Sequence, residues 1–205
     1  MHHNKLLLAT GNKAKVREYK SLLRGIPYQV VTPAELGIKT AVEETGESLE
    51  ANARLKAVAL AVESRLLSLA DDSGLEVDAL GGEPGARSAR YAGEGASDAE
   101  KVAYLLARLK GVPGEKRTAR FRCVIAIAAP DEKVEICSGE CRGFITEAPR
   151  GEHGFGYDPV FYLPELGKTM AELPPEEKDQ VSHRGQAARR ARELLQELSA
   201  REQGE

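Results

Sequence analysis

Two long runs, 118–129 and 134–145, flank the turn Pro130-Asp131-Glu132-Lys133, and this pairing constrains the fold more than any other feature of the chain. Their β-branched content and the Pro-Asp turn between them are the signal of a β-hairpin. Upstream, apolar runs alternate with helical stripes. Residues 6–10 read as a buried strand, followed by a helix in which Val16, Tyr19, Leu22 and Leu23 share one face and which Gly25 and Pro27 end. A second strand over 28–32 leads to an alanine-rich helix from about 48 to 65. The apolar run 67–70 is broken by Asp71-Asp72-Ser73-Gly74 before Leu75 and Val77 resume an extended pattern, so the acidic pair is expected in an exposed turn where a strand ends. Residues 81–95 read as a long loop, closed by the capping box Ser97-Asp98-Ala99-Glu100 of a helix reaching Leu109. After the hairpin, 151–158 is loop-like and 159–163 is a strand candidate. Ala187, Ala188, Ala191, Leu194, Leu195 and Leu198 give a last helix its apolar stripe. Strands interleaved with helices, plus one long hairpin, imply an α/β domain on a mixed sheet.

With 205 residues, 41% of them apolar, the chain can bury a substantial core and is expected to form a single domain over 1–205. Its 29 basic and 32 acidic residues are interspersed, so no broad field of one sign is available to grip nucleic acid. A free nucleotide needs only a few local cations and stays open. Three cysteines make no paired framework, no apolar stretch approaches a membrane span, and the opening apolar run is too short for a signal peptide. A reducing cytoplasm fits these features best.

Several constellations could carry chemistry. In Thr10-Gly11-Asn12-Lys13-Ala14-Lys15 a strand hands over to a helix whose free amides suit phosphate. Gly11 lets backbone approach an anion, Asn12 can donate its amide, and Lys13 or Lys15 supplies a point charge. The spacing is not that of a Walker A loop. Glu43 and Glu44 precede one helix, and Asp71 and Asp72 sit beside an apolar run; hard oxygen ligands of this kind are what Mg²⁺ requires, although acids at a helix start also stabilise its dipole. Two adjacent carboxylates repel each other unless a cation or donors compensate.

Gly154-Phe155-Gly156-Tyr157-Asp158-Pro159 holds two aromatics among glycines in an aromatic-poor chain; a ring there can stack on a nucleobase or tuck into the core. Lys178 and Ser182-His183-Arg184, just before the last helix, are donors suited to a purine with an acceptor oxygen at position 6. Arg87 or Arg90 in the glycine-rich loop is a weaker phosphate candidate. Arg189, Arg190 and Arg192 read as the solvated face of a helix, and Cys137 and Cys141, four apart in a strand, as core packing.

Taken together and in this order, these motifs resemble the Ham1-like family of inosine triphosphate pyrophosphatases, also described as dITP/XTP pyrophosphatases. The match runs from Leu8-Ala9-Thr10-Gly11-Asn12-Lys13-Ala14-Lys15 through Glu43-Glu44-Thr45-Gly46, Asp71-Asp72-Ser73-Gly74-Leu75, Pro84-Gly85 and Ser88-Ala89-Arg90-Tyr91. It continues through Gly154-Phe155-Gly156-Tyr157-Asp158-Pro159 to Lys178 and Ser182-His183-Arg184. Asp179 and Val181 stand where many relatives carry Asn and Ile.

The resemblance implies an elongated two-lobed α/β fold on a central mixed sheet flanked by helices, a nucleotide cleft between the lobes, and a homodimer with no stable nucleic-acid partner. It implies hydrolysis of ITP, dITP, XTP and dXTP to monophosphate and pyrophosphate, which prevents their incorporation into DNA and RNA. By similarity Thr10, Gly11, Asn12, Lys13, Ala14 and Lys15 would bind phosphates, Glu44 and Asp72 would hold Mg²⁺, and Asp72 would be the catalytic base. Ser73, Phe155, Gly156, Tyr157, Asp158, Lys178, His183 and Arg184 would bind substrate, with Phe155 stacked on the purine. A non-catalytic nucleotide sensor could use the same loop and ring, but would have no need of Glu44 and Asp72 at a metal.

Overall fold

A computed structural model describes residues 4–40 and 42–204. Among these, seven strands form one sheet in the order β2-β1-β3-β4-β5-β6-β7. The strands are β1 (Asn4–Leu8), β2 (Tyr28–Val31), β3 (Leu67–Val77), β4 (Thr118–Ala128), β5 (Val134–Ile145), β6 (Phe161–Leu163) and β7 (Lys168–Thr169). β1 runs parallel to both β2 and β3, whereas β5, β6 and β7 pair antiparallel, so the sheet is mixed as the sequence implies. The helices are α1 (Lys13–Leu22), α2 (Leu49–Ser64), α3 (Asp98–Arg108), α4 (Pro175–Val181) and α5 (His183–Gly204). The hairpin is formed as expected: β4 and β5 are neighbours, and the Ala129 N–H closes the turn on the Lys133 carbonyl at 2.9 Å.

The chain divides into two compact units. One takes the residues up to Asp72 with Cys123–Gly139 and those from Gln186 on; the other takes Ser73–Arg122 and Glu140–Gly185. Each has its own apolar core. In the first, Leu6, Leu8, Tyr19, Leu69, Ile125 and Ile127 pack with Ala187, Ala188, Ala191 and Leu195, the stripe read in the last helix. In the second, Leu75, Val77, Leu105, Phe121, Ile145, Tyr157 and Phe161 are buried together. Cys137 and Cys141 are buried and free, in keeping with a packing role. Arg190 and Arg192 are not merely solvated: they donate to the Ser138 and Leu22 carbonyls at 2.6 and 3.3 Å.

Two placements are also corrected. The acidic pair does not end a strand in an exposed turn. β3 runs unbroken through Asp71, Asp72, Ser73 and Gly74, and the two carboxylates are only 1% and 6% exposed. The strand tolerates them because each has compensating donors from elsewhere in the chain, described below. His183 and Arg184 also lie inside α5, at its start, and not before it. Lys178 sits on α4, a helix too short for periodicity to reveal.

Candidate active site

The chemistry of the first unit gathers on the middle of β3. Lys15, on the first turn of α1, places Nζ 2.9 Å from Asp71 Oδ1. Lys56, on α2, donates to Glu44 Oε1 at 2.6 Å and to the Asp71 carbonyl at 2.7 Å, and stands 3.8 Å from Asp72 Oδ1. Asn52 lies one helical turn before Lys56 and is 1% exposed. Its Nδ2 donates to Asp72 Oδ2 at 3.0 Å and its Oδ1 accepts the Gly46 N–H at 2.8 Å. A Cβ on Gly46 would stand 2.7 Å from Asn52 Oδ1, so glycine is what lets the Glu44 segment approach α2.

These contacts set the electrostatics. Burial pushes the Asp72 carboxyl up, Glu44 adds to the rise, and Lys56, Lys15 and Asn52 offset only part of it, so its pKa stands above the ordinary aspartate value. Burial works against the Lys56 ammonium, but Asp71, Asp72 and Glu44 outweigh it and hold its pKa above that of ordinary lysine. A carboxylate that is a stronger base than usual, beside a fixed cation, is a candidate for proton transfer.

Glu44 and Asp72 converge on one cationic atom, Lys56 Nζ, and so are the residues that could hold a divalent cation. Glu43 is exposed. Among the described residues no group of three or more His, Cys, Asp and Glu could cage a metal. Two hard oxygen donors without a cage fit Mg²⁺, which usually keeps waters and takes substrate phosphates to complete its shell.

The loop before α1 is organised by Asn12, whose Oδ1 accepts the Ala14 and Lys15 amides at 2.9 and 3.2 Å as an N-cap. Those amides are occupied, which leaves Asn12 Nδ2, the exposed Lys13 and the backbone at Gly11 as the groups there that could meet a phosphate. A Cβ on Gly11 would meet nothing within 4 Å. Packing within the fold does not demand glycine there, whereas close approach of a ligand would.

In the second unit Phe155 is the centre. Lys178 Nζ lies 5.0 Å and the Arg184 guanidinium 5.2 Å from its ring centroid, within cation–π range. Lys178 is buried and donates to Asp158 Oδ2 at 2.6 Å; the same oxygen accepts the Phe155 N–H at 2.9 Å. Arg184 donates to Ser73 Oγ at 3.0 Å. A side chain on Gly154 would run into Asp158 and Lys178. The His183 ring stacks on Phe121 at 4.6 Å, nearly parallel at 12°. Tyr157 points its ring into the second core and donates to the Ser88 carbonyl at 2.9 Å, so its side chain anchors the loop.

Candidate residues read from sequence thus gather in two groups, Lys15, Glu44, Asp71 and Asp72 in the first unit and Ser73, Phe155, Asp158, Lys178 and Arg184 in the second. Sequence reasoning missed Asn52, Lys56 and Phe121. A polar pair at i, i+4 in an otherwise alanine-rich helix was the available signal for the first two. Nothing in the sequence pointed to Phe121 as the partner of His183.

An α/β chain with an Asn-capped strand-to-helix loop, a Glu and an Asp on one lysine, and a cation-flanked phenylalanine defines a class, and the sequence pattern of the Ham1 family matches residues 6–194. This chain belongs to the Ham1 family. It is 53% identical to the dITP/XTP pyrophosphatase of Desulforamulus reducens, over 95% of this chain and 96% of the relative. It is 51% identical to the dITP/XTP pyrophosphatase of Geobacillus kaustophilus, over 94% and 95%. The solved structure of a HAM1 protein from Coxiella burnetii superposes with a TM-score of 0.87 at 41% identity, covering 95% of this chain and 99% of that one.

Proposed function

We propose that this chain hydrolyses ITP, dITP, XTP and dXTP to the nucleoside monophosphate and pyrophosphate with Mg²⁺ as cofactor, and so prevents their incorporation into DNA and RNA. One observation carries the mechanism: Glu44 and Asp72 converge on a single cationic position, 2.6 and 3.8 Å from Lys56 Nζ. The names of the relatives at 53% and 51% identity support the substrate class.

Asn12, Lys13 and the Gly11 backbone hold phosphates. Glu44 and Asp72 would hold Mg²⁺, whose chemistry when bound would be charge compensation at the phosphates and Lewis-acid activation of water. Asp72 would orient the attacking water and accept its proton. Lys56 is held close to both carboxylates, where its ammonium offsets part of their charge when no other cation is present. Phe155 stacks on the purine, and Lys178, His183 and Arg184 donate toward O6. Adenine carries an amino group at that position, and each buried donor left unpaired would cost about 1–3 kcal/mol.

The same reading makes the chain a cytoplasmic homodimer that forms no stable complex with nucleic acid. Buried free cysteines and the near-balanced charge support the compartment and the missing nucleic-acid partner. Among the described residues no helix is long and apolar enough to cross a membrane. The dimer follows from the family resemblance, and light scattering tests it.

Incubation with ITP, XTP, GTP or ATP and Mg²⁺, followed by product analysis, tests the reaction. IMP with pyrophosphate is the expected outcome for ITP. IDP with orthophosphate would replace the reading by a γ-phosphatase, unchanged ITP would replace it by a sensor, and equal rates on ATP or GTP would remove the selectivity.

A further inference from the structure

Asp98 opens α3, whose N-terminus is satisfied without it. Ser97 Oγ accepts the Glu100 N–H at 3.3 Å, and the Glu100 carboxylate accepts the Ser97 N–H at 2.8 Å. The Asp98 carboxylate is therefore free to work elsewhere, and it does. Its Oδ2 accepts the Gly156 N–H at 2.7 Å, 58 residues further along the chain, while Lys101 Nζ steadies Oδ1 at 2.6 Å.

Gly156 follows Phe155 directly and has a φ of 64°, a left-handed backbone that glycine adopts without strain. The preceding amide, that of Phe155, is taken by Asp158 Oδ2 at 2.9 Å. Two consecutive amides, on either side of the Phe155 Cα, are thus each held by a carboxylate. Asp158 holds one from within the loop and Asp98 holds the other from α3. Fixing both peptide planes fixes the direction in which the ring leaves the backbone. A stacking platform that must receive a planar base gains from being set beforehand.

We infer that Asp98 is a positioning residue for base recognition, a latch from α3 that aims the Phe155 ring. This rests on the proposed function, in which Phe155 stacks on the purine. Bonds to a charged acceptor are the stronger kind, and the Asp98 side chain is 47% exposed, so the latch can be removed without opening a core.

The test compares Asp98→Ala with Asp98→Asn, whose amide oxygen still accepts the Gly156 N–H. In Asp98→Ala the KM for ITP rises and metal-free IMP binding, read by calorimetry, weakens, each about tenfold, while kcat stays within about threefold. Asp98→Asn recovers most of the loss, and the thermal midpoints of both variants stay within a few degrees of the parent. Amide exchange at Gly156 speeds up in Asp98→Ala. A parent-like KM and IMP affinity in Asp98→Ala, with the parent active on ITP, overturns the latch alone. Equal impairment of both variants in step with an equal fall in thermal midpoint also overturns it, because the residue then serves only the helix. A parent that neither binds IMP nor hydrolyses ITP overturns the functional reading and the purpose of the latch with it, even if the Gly156 exchange behaves as expected.

Discussion

Asn52 donates to Asp72 Oδ2 at 3.0 Å with one end of its carboxamide and holds the Gly46 N–H at 2.8 Å with the other. One buried amide therefore ties the segment that carries Glu44 to the strand that carries Asp72. Asn52→Ala strips both groups of a partner, and a buried group left unsatisfied costs about 1–3 kcal/mol. The variant is expected to lose stability on that order in urea denaturation and to turn over at least about tenfold more slowly, as Asp72 loses its orientation. Parent-like turnover would show that Asp72 needs no such support.

Asp72→Asn keeps the size and shape of the side chain and removes its basicity. Nucleotide binding is expected to persist while kcat falls by roughly 10²–10⁴, the range for loss of general-base catalysis. Turnover near the parent level would reject Asp72 as the base.

Metal removal has a distinct signature. Chelation with EDTA is expected to abolish hydrolysis and leave IMP binding in place, since the proposed base recognition rests on the residues around Phe155 and not on the proposed metal ligands. Glu44→Gln should raise the Mg²⁺ concentration for half-maximal activity by roughly tenfold or more, as loss of one of two hard carboxylate ligands implies. An unchanged Mg²⁺ requirement in Glu44→Gln would exclude it as a ligand.

Alkaline pH should weaken the fold. Burial pushes the Cys141 thiol up to about 11 from 9.0, and burial with the Glu83 hydrogen bond pushes the Tyr91 phenol up to about 12 from 10.0. Burial also raises the Tyr157 phenol above its ordinary value of 10.0. Folded values above the unfolded ones mean that this stabilisation is complete below about pH 9 and is lost as pH climbs toward the folded values. Urea midpoints are expected to be flat up to about pH 8.5 and to fall beyond it, less steeply in Cys141→Val. A midpoint that holds constant to about pH 11 would contradict the assignment.

Much of the site was legible because its parts are local. Thr10 to Lys15 and Gly154 to Asp158 each keep their candidate groups within six residues or fewer, the first in a loop running into the first turn of α1 and the second in a loop running into a short 3-10 turn. What the sequence hid is what comes from afar. Asp71 and Asp72 look like a strand end because adjacent acids should not be buried. Lys15, Asn52 and Lys56, which make that burial tolerable, are distant in sequence and reach β3 only once α1 and α2 have packed. α4 escaped notice for a different reason: seven residues opening on proline show no apolar stripe, although they deliver Lys178 to Asp158. The stacking of Phe121 on His183 joins two elements that share no sequence pattern.

The first unit draws on the residues up to Asp72, a middle stretch, and those beyond Gln186. Its core closes on Ala187, Ala188, Ala191 and Leu195 of α5. A ribosome making this protein therefore releases Asp72 and its partners long before the helix that seals their unit exists. Chains generally fold unit by unit from the N-terminus during synthesis, but here the segment up to Asp72 must wait for the residues from Gln186 on. No single cut can yield this unit intact, and a nascent chain halted before residue 186 would lack the helical face on which the unit's core closes.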